Sequence, residues 1–221
     1  MNQMPAEDFQ KDSFRSTPVI GILRGYHAGQ IKGLVDRYLS AGFTCLEVTW
    51  NSPDAGNTIQ MLADTYGDDL LLGAGTILTI NDLDQSLDAG ARFVVTPIVQ
   101  PEVIASCVRQ QIPVFPGAFT PTEVYQAWNL GATAVKLFPA EFGGLAYLKS
   151  IQAPLTGIPL IPTGGVSEDN ISDFLDAGVF AVGMGSQLFP RKFVLTSDWT
   201  RLELHFSQLK RKIMEWNEKG K

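Results

Sequence analysis

Lys136 stands inside an apolar run, Ala134-Val135-Lys136-Leu137-Phe138-Pro139. Glu47 interrupts a second such run, Cys45-Leu46-Glu47-Val48-Thr49-Trp50. An ammonium buried without a partner is so costly that proteins avoid it. The usual escape is a lowered lysine pKa and a neutral amine. An enclosed neutral amine is a nucleophile for ketones and aldehydes and forms Schiff bases. A carboxylate within reach can move the protons that such chemistry requires. The competing reading is a buried Lys–Glu ion pair that only joins two strands, an arrangement of little net stabilising value.

Both residues lie in elements of one repeated plan. Apolar runs occur at Pro18–Leu23, Thr44–Trp50, Leu70–Gly75, Arg92–Thr96, Pro113–Gly117, Ala134–Phe138, Leu160–Thr163 and Phe180–Met184. Their starts are 20–26 residues apart, with helix-like segments between, which is the repeat of a βα unit. Near-continuous apolar strands imply a parallel sheet covered by helices. Eight such units in one domain predict a closed (β/α)8 TIM barrel over residues 18–221, ending in a C-terminal helix, after an N-terminal extension at 1–17. The alternative is an open doubly wound sheet, but no GxGxxG follows the first strand.

Helix boundaries support the parse. Thr120-Pro121-Thr122-Glu123 reads as a capping box, and Ser52-Pro53 and Gln100-Pro101 as further proline-led starts. Gly42, Gly90, Gly131 and Gly178 read as left-handed helix terminators. Leu202, Phe206, Leu209, Ile213 and Trp216 form one stripe of a terminal helix.

Composition narrows the function classes. The formal net charge is -6 and no basic cluster stands out, which argues against nucleic-acid binding. No apolar run approaches a membrane span, and the first residues lack a signal-peptide core, so a cytoplasmic protein with no membrane partner is expected. Cys45 and Cys107 read as buried, reduced thiols. His27 and His205 are too isolated to nucleate a metal site, and no metal is expected. His205 belongs with the terminal helix; His27 is either loop or ligand contact.

In a barrel, alternate residues of a strand point inward and the C-terminal strand ends build the site. Lys136 shares a face with Ala134 and Phe138, and Glu47 with Thr49, so both ionisable groups should face the interior. Arg24, Asn51, Thr76 and Pro97 follow strands one to four. Arg24 could clamp a carboxylate or phosphate, or lie free on the surface. Thr76 could serve a substrate oxygen or cap a helix. The turns Pro162-Thr163-Gly164-Gly165-Val166-Ser167 and Gly183-Met184-Gly185-Ser186 follow strands seven and eight, where barrels often bind phosphate on free amides.

These segments, with Leu46-Glu47-Val48-Thr49, Gly73-Ala74-Gly75-Thr76, Val95-Thr96-Pro97, Pro116-Gly117, Lys136-Leu137-Phe138-Pro139 and Gly183-Met184-Gly185-Ser186-Gln187, resemble the class I aldolases of 2-keto-3-deoxy-6-phosphogluconate (KDPG). The resemblance runs from about Pro18 to Phe189. It implies Lys136 as the Schiff-base lysine and Glu47 as the general acid/base. It further implies Thr76 in pyruvate binding, Pro97 and Phe138 lining the site, and Gly164, Gly165 and Ser186, beside Gly185, holding phosphate. It implies a phosphorylated keto-acid substrate, a homotrimer and no cofactor.

One departure bears on the substrate. Gluconate-type members often carry, in place of Asn51, an arginine that meets the pyruvate carboxylate. Ile22-Leu23-Arg24-Gly25 with Asn51-Ser52-Pro53 instead resembles the aldolases of the 6-phosphogalactonate epimer, leaving the carboxylate to Arg24. Thr163 matches the gluconate branch at a position tied to preference at C4. Cleavage of the gluconate is the expectation, with 4-hydroxy-2-oxoglutarate as a possible second substrate and the galactonate epimer as the alternative. Two other classes compete: a phosphate-binding barrel isomerase or epimerase, and a non-catalytic barrel.

Overall fold

Alternation of short apolar strands and amphipathic helices produces eight parallel strands around one axis. The structure, a computed structural model, describes Phe9 and residues 11–219. The strands are β1 (Val19–Leu23), β2 (Cys45–Thr49), β3 (Leu71–Gly75), β4 (Phe93–Thr96), β5 (Val114–Ala118), β6 (Val135–Leu137), β7 (Leu160–Pro162) and β8 (Val182–Met184). They neighbour one another in the order β7-β6-β5-β4-β3-β2-β1-β8. A parallel bridge between Thr163 and Gly183 and the Phe180 N–H bond to the Leu160 carbonyl (2.9 Å) draw the two ends together. This is the expected TIM barrel, nearly closed.

A short α1 (Asp12–Arg15) precedes β1. Between the strands run α2 (Ala28–Ser40), α3 (Ala55–Tyr66), α4 (Ile80–Asp88), α5 (Pro101–Arg109), α6 (Pro121–Asn129), α7 (Gly144–Gln152) and α8 (Ile171–Asp176). α9 (Arg191–Leu195) and α10 (Trp199–Lys219) follow β8. The Thr120–Glu123 capping box is present, and α5 begins at Pro101. A second capping box, Thr79 with Asp82, opens α4 without having been read from the sequence. The four expected glycine terminators all take positive φ. Leu202, Phe206, Leu209 and Ile213 are buried along α10, as their spacing requires.

One helix start differs from expectation. α3 begins at Ala55 after Asp54 at φ 57, not at Ser52-Pro53. The reason is chemical: the Ser52 hydroxyl is already bonded to Thr49 (2.8 Å) and to the Gly25 N–H (2.9 Å), so it does not cap a helix.

Side chains sort onto the two faces of the strands by parity. Leu46, Val48, Ala74, Val94, Val135 and Leu137 face the helices and belong to the large outer core. Ile20, Cys45, Leu71, Phe93, Phe115, Ala134, Ile161 and Ala181 form a separate inner cluster. The Phe93 ring fills the place that a side chain on residue 73 would need, so Gly73 is what lets this aromatic cross the barrel. Phe9 and Phe14 join the cluster, with Phe9 5.1 Å from Phe115 and 5.4 Å from Phe93 in edge-to-face geometry. Residues 1–8 and 10 of the expected extension lie outside the described residues. The barrel interior is therefore oily at its lower end and becomes polar only at Glu47, Thr49, Lys136 and Thr163. Among the described residues no helix is long and apolar enough to cross a membrane. Cys45 and Cys107 are free and buried.

Candidate active site

The strand register sets the two ionisable groups on the inner wall. Glu47 pairs laterally with Ile22 and Gly73, and Lys136 with Gly117 and Ile161. Glu47 is 1% exposed and Lys136 6%. Both line a small interior cavity with Ile20, Val95, Phe115 and Thr163, so an amine and a carboxyl meet in largely apolar surroundings. The Glu47 carboxylate lies over Gly75; a β-carbon there would overlap it, which is why the strand carries glycine at that point.

The electrostatics follow from enclosure. Burial pulls the Lys136 pKa below its usual value, against the opposing pull of the Glu47 charge, and the Arg24 cation lowers it further. Burial pushes the Glu47 pKa up, and the positive charges of Lys136 and Arg24 hold part of that rise back. The two groups sense each other's charge without a hydrogen bond between them. Glu47 Oε1 is buried with no hydrogen-bond partner among the described residues. The Lys136 ammonium position lies 5.0 Å from the Phe138 ring centre. An amine biased towards neutrality and a carboxyl with a free oxygen are the elements of nucleophilic attack coupled to proton transfer.

Above this cavity a cleft of about 250 Å³ opens at the C-terminal strand ends. Lys136 and Thr163 line both spaces and so sit at their junction. Arg24 and Phe138 form one part of the cleft wall, and Gly164, Gly165, Gly185 and Ser186 another. Gly164 and Gly165 take φ of 94° and 73°. Their turn is locked by Asn170, which donates to the Gly165 carbonyl (2.9 Å) and accepts from the Ser167 N–H (2.9 Å). The N–H groups of Gly165 and Ser186 have no backbone partner among the described residues, which leaves donors for an anion.

The remaining expected residues are placed less directly. Thr76, at φ 62, accepts a long bond from Arg24 Nη2 at 3.5 Å. Asn51 is exposed on the turn after β2, and Pro97 presses its carbonyl against Gly117; neither lines the cleft. Glu141 and Gln187 do line it and were not read from the sequence. Glu141 lies on a 3-10 turn after Phe138-Pro139 and packs against Gly165, a path that no periodicity in the sequence signals. Gln187 is held through its carbonyl by His205 Nε2 of α10 at 2.8 Å. His27 is exposed ahead of α2. Among the described residues no group of three or more His, Cys, Asp or Glu side chains is placed to hold a metal ion.

A family model described as KDPG and KHG aldolase matches residues 11–204. The chain is 37% identical over 173 residues to the 2-dehydro-3-deoxy-6-phosphogalactonate aldolase of Escherichia coli, covering 78% of this chain and 84% of that protein. It is 35% identical over 191 residues to the 2-dehydro-3-deoxy-phosphogluconate aldolase of Pseudomonas aeruginosa, covering 86% and 84%. Among solved structures, the KDPG aldolase from Legionella pneumophila, with pyruvate captured as a covalent carbinolamine intermediate, aligns with a TM-score of 0.79 at 28% identity. That alignment covers 92% of this chain and 95% of that one.

The enclosed charges should burden the fold, and the sign is fixed by the shifts. A lysine pKa lowered on folding means that the stability cost grows as pH falls below the unfolded value of 10.5. A glutamate pKa raised on folding means that the cost grows as pH rises above 4.5. Both costs are present at pH 7. Replacing both charges together, Lys136→Met with Glu47→Met, should abolish activity and raise stability at pH 7 by about 1–4 kcal/mol in urea titrations. A double variant no more stable than the parent would show that burial of these groups costs the fold nothing.

Proposed function

The chain belongs to the KDPG and KHG aldolase family, and we propose that it cleaves 2-dehydro-3-deoxy-6-phosphogluconate to pyruvate and glyceraldehyde 3-phosphate through a Schiff base on Lys136. The observation that carries this reading is the Lys136 amine, enclosed on the inner wall at the floor of the cleft, with its pKa lowered and a carboxyl across the cavity.

The neutral amine of Lys136 attacks the C2 ketone, and loss of water leaves an iminium. Glu47 takes the proton of the C4 hydroxyl as the C3–C4 bond breaks, and the bonding electrons flow into the iminium. The aldehyde leaves with the phosphate. The resulting enamine is protonated at C3 by Glu47, and hydrolysis frees pyruvate and the amine. Arg24, with Thr76 beside it, meets the substrate carboxylate, and Asn51 belongs to the same end of the site. Phe138 flanks the ketone, Pro97 stands behind the cleft wall at Gly117, Thr163 lies towards C4, and Gly164, Gly165, Gly185 and Ser186 receive the phosphate, supported by the unpartnered amides of Gly165 and Ser186. Anchoring the distal phosphate orients the bond that breaks. The reading includes 4-hydroxy-2-oxoglutarate as a second substrate. It also includes a cytoplasmic homotrimer, with exposed apolar side chains such as Ile98 and Phe142 available for contacts between copies.

A second reading, the 6-phosphogalactonate epimer as substrate, is favoured by Arg24 lining the cleft while the side of Asn51 supplies no cation. A coupled assay of pyruvate release from both 6-phospho epimers ranks the two readings. The gluconate should be cleaved faster; faster cleavage of the galactonate would replace the first reading by the second.

Pyruvate with borohydride should leave a stable adduct mapping to Lys136 by peptide mass. In Glu47→Gln the adduct should still form while cleavage falls about 10²–10⁴-fold. An adduct on another residue, or undiminished turnover in Glu47→Gln, would remove these two groups from their roles.

A further inference from the structure

We propose that Ser52 is the positioning residue for the guanidinium that meets the substrate carboxylate, acting through the N–H of Gly25. The inference rests on the aldolase reading above, in which Arg24 faces the carboxylate of a 2-keto acid.

Arg24 is the first residue beyond β1, so the strand ladder no longer holds it. Gly25 follows with φ 71, and its N–H donates to Ser52 Oγ at 2.9 Å. Ser52 is fixed in turn: its own N–H donates to the Thr49 carbonyl at 2.9 Å, and its hydroxyl shares a 2.8 Å hydrogen bond with the Thr49 hydroxyl. Thr49 is fully buried and lies on the Glu47 face of β2. A chain of two hydroxyls thus ties the loop that carries the cation to the strand that carries the carboxyl.

Other restraints on Arg24 are weak. Its reach to Thr76 Oγ1 is 3.5 Å, at the outer limit of a hydrogen bond. No acidic side chain forms an ion pair with it among the described residues, so its charge is free for a ligand. A two-pronged arginine–carboxylate contact needs both N–H groups aligned, and so depends on where the backbone puts the side chain. Removing the Ser52 oxygen leaves the Gly25 N–H and the Thr49 hydroxyl without this partner and frees the loop. The turn after β2, which presents neutral Asn51, serves the carboxylate subsite by anchoring the cation of β1.

The test is capture of ketones by Lys136, measured as borohydride-trapped adduct against ketone concentration. Ser52→Ala should raise half-saturating pyruvate roughly tenfold, equivalent to the loss of about 1.4 kcal/mol. The rate at saturation should fall far less. Capture of hydroxyacetone, which has no carboxylate, should weaken much less than capture of pyruvate. Ser52→Thr, which keeps the hydroxyl, should restore pyruvate affinity, and Ser52→Ala should add nothing in an Arg24→Ala background. Should Ser52→Ala fail to fold, Ser52→Cys, with its weaker acceptor, is read the same way. Unchanged pyruvate affinity, equal losses for both ketones, or a Ser52 effect undiminished without Arg24 would each overturn the inference. Absence of any Lys136 adduct in the unsubstituted protein would overturn the aldolase reading and this inference with it.

Discussion

An amine held inside a nearly closed cylinder of apolar strands is the constraint from which the rest of this structure follows. Water would keep the Lys136 nitrogen charged; the barrel withholds water and lowers its pKa. To do so the lower interior must be filled, and it is: Phe9, Phe14, Phe93 and Phe115 pack edge to face below the site. Higher up, Gly75 leaves the room that the Glu47 carboxylate occupies, and Gly183 the room that the Thr163 side chain occupies.

The same enclosure sets the relation between the two ionisable groups. A tight ion pair would stabilise the ammonium and silence the nucleophile. Lys136 and Glu47 instead interact through space, and one carboxylate oxygen keeps its bonding capacity. Arg24 adds a positive charge that lowers both pKa values, favouring a neutral amine and an ionised carboxylate together. The site is thus a balance of burial against three charges contributed by β2, β6 and the loop after β1.

The fold was legible because each strand is an apolar run between helix signals, and parity then placed Lys136 and Glu47 on the inner wall. Lys136 and Glu47 were legible as misfits in that pattern. What the pattern could not carry was loop geometry. Ser52-Pro53 has the residue types of a helix start, yet its hydroxyl is spent on Gly25 and Thr49. Phe9 and Phe14 lie in a polar stretch without periodicity, so their descent into the barrel floor had no local signal. Asn51 and Pro97 end strands that reach the site, but their turns carry them off the cleft wall, while Glu141 and Gln187 are carried onto it. Strand ends predict which loops serve a site; the dihedral angles inside each loop decide which side chains arrive.

The chemistry depends on a Lys136 amine held towards its neutral form within the folded barrel. It can be read directly by ¹⁵N NMR titration of lysine-labelled protein, with Lys136 assigned by its loss in Lys136→Met. The Lys136 nitrogen should titrate below the ordinary value of 10.5. Titration at or above that value would mean that the barrel stabilises an ammonium, and the proposed nucleophile would not exist.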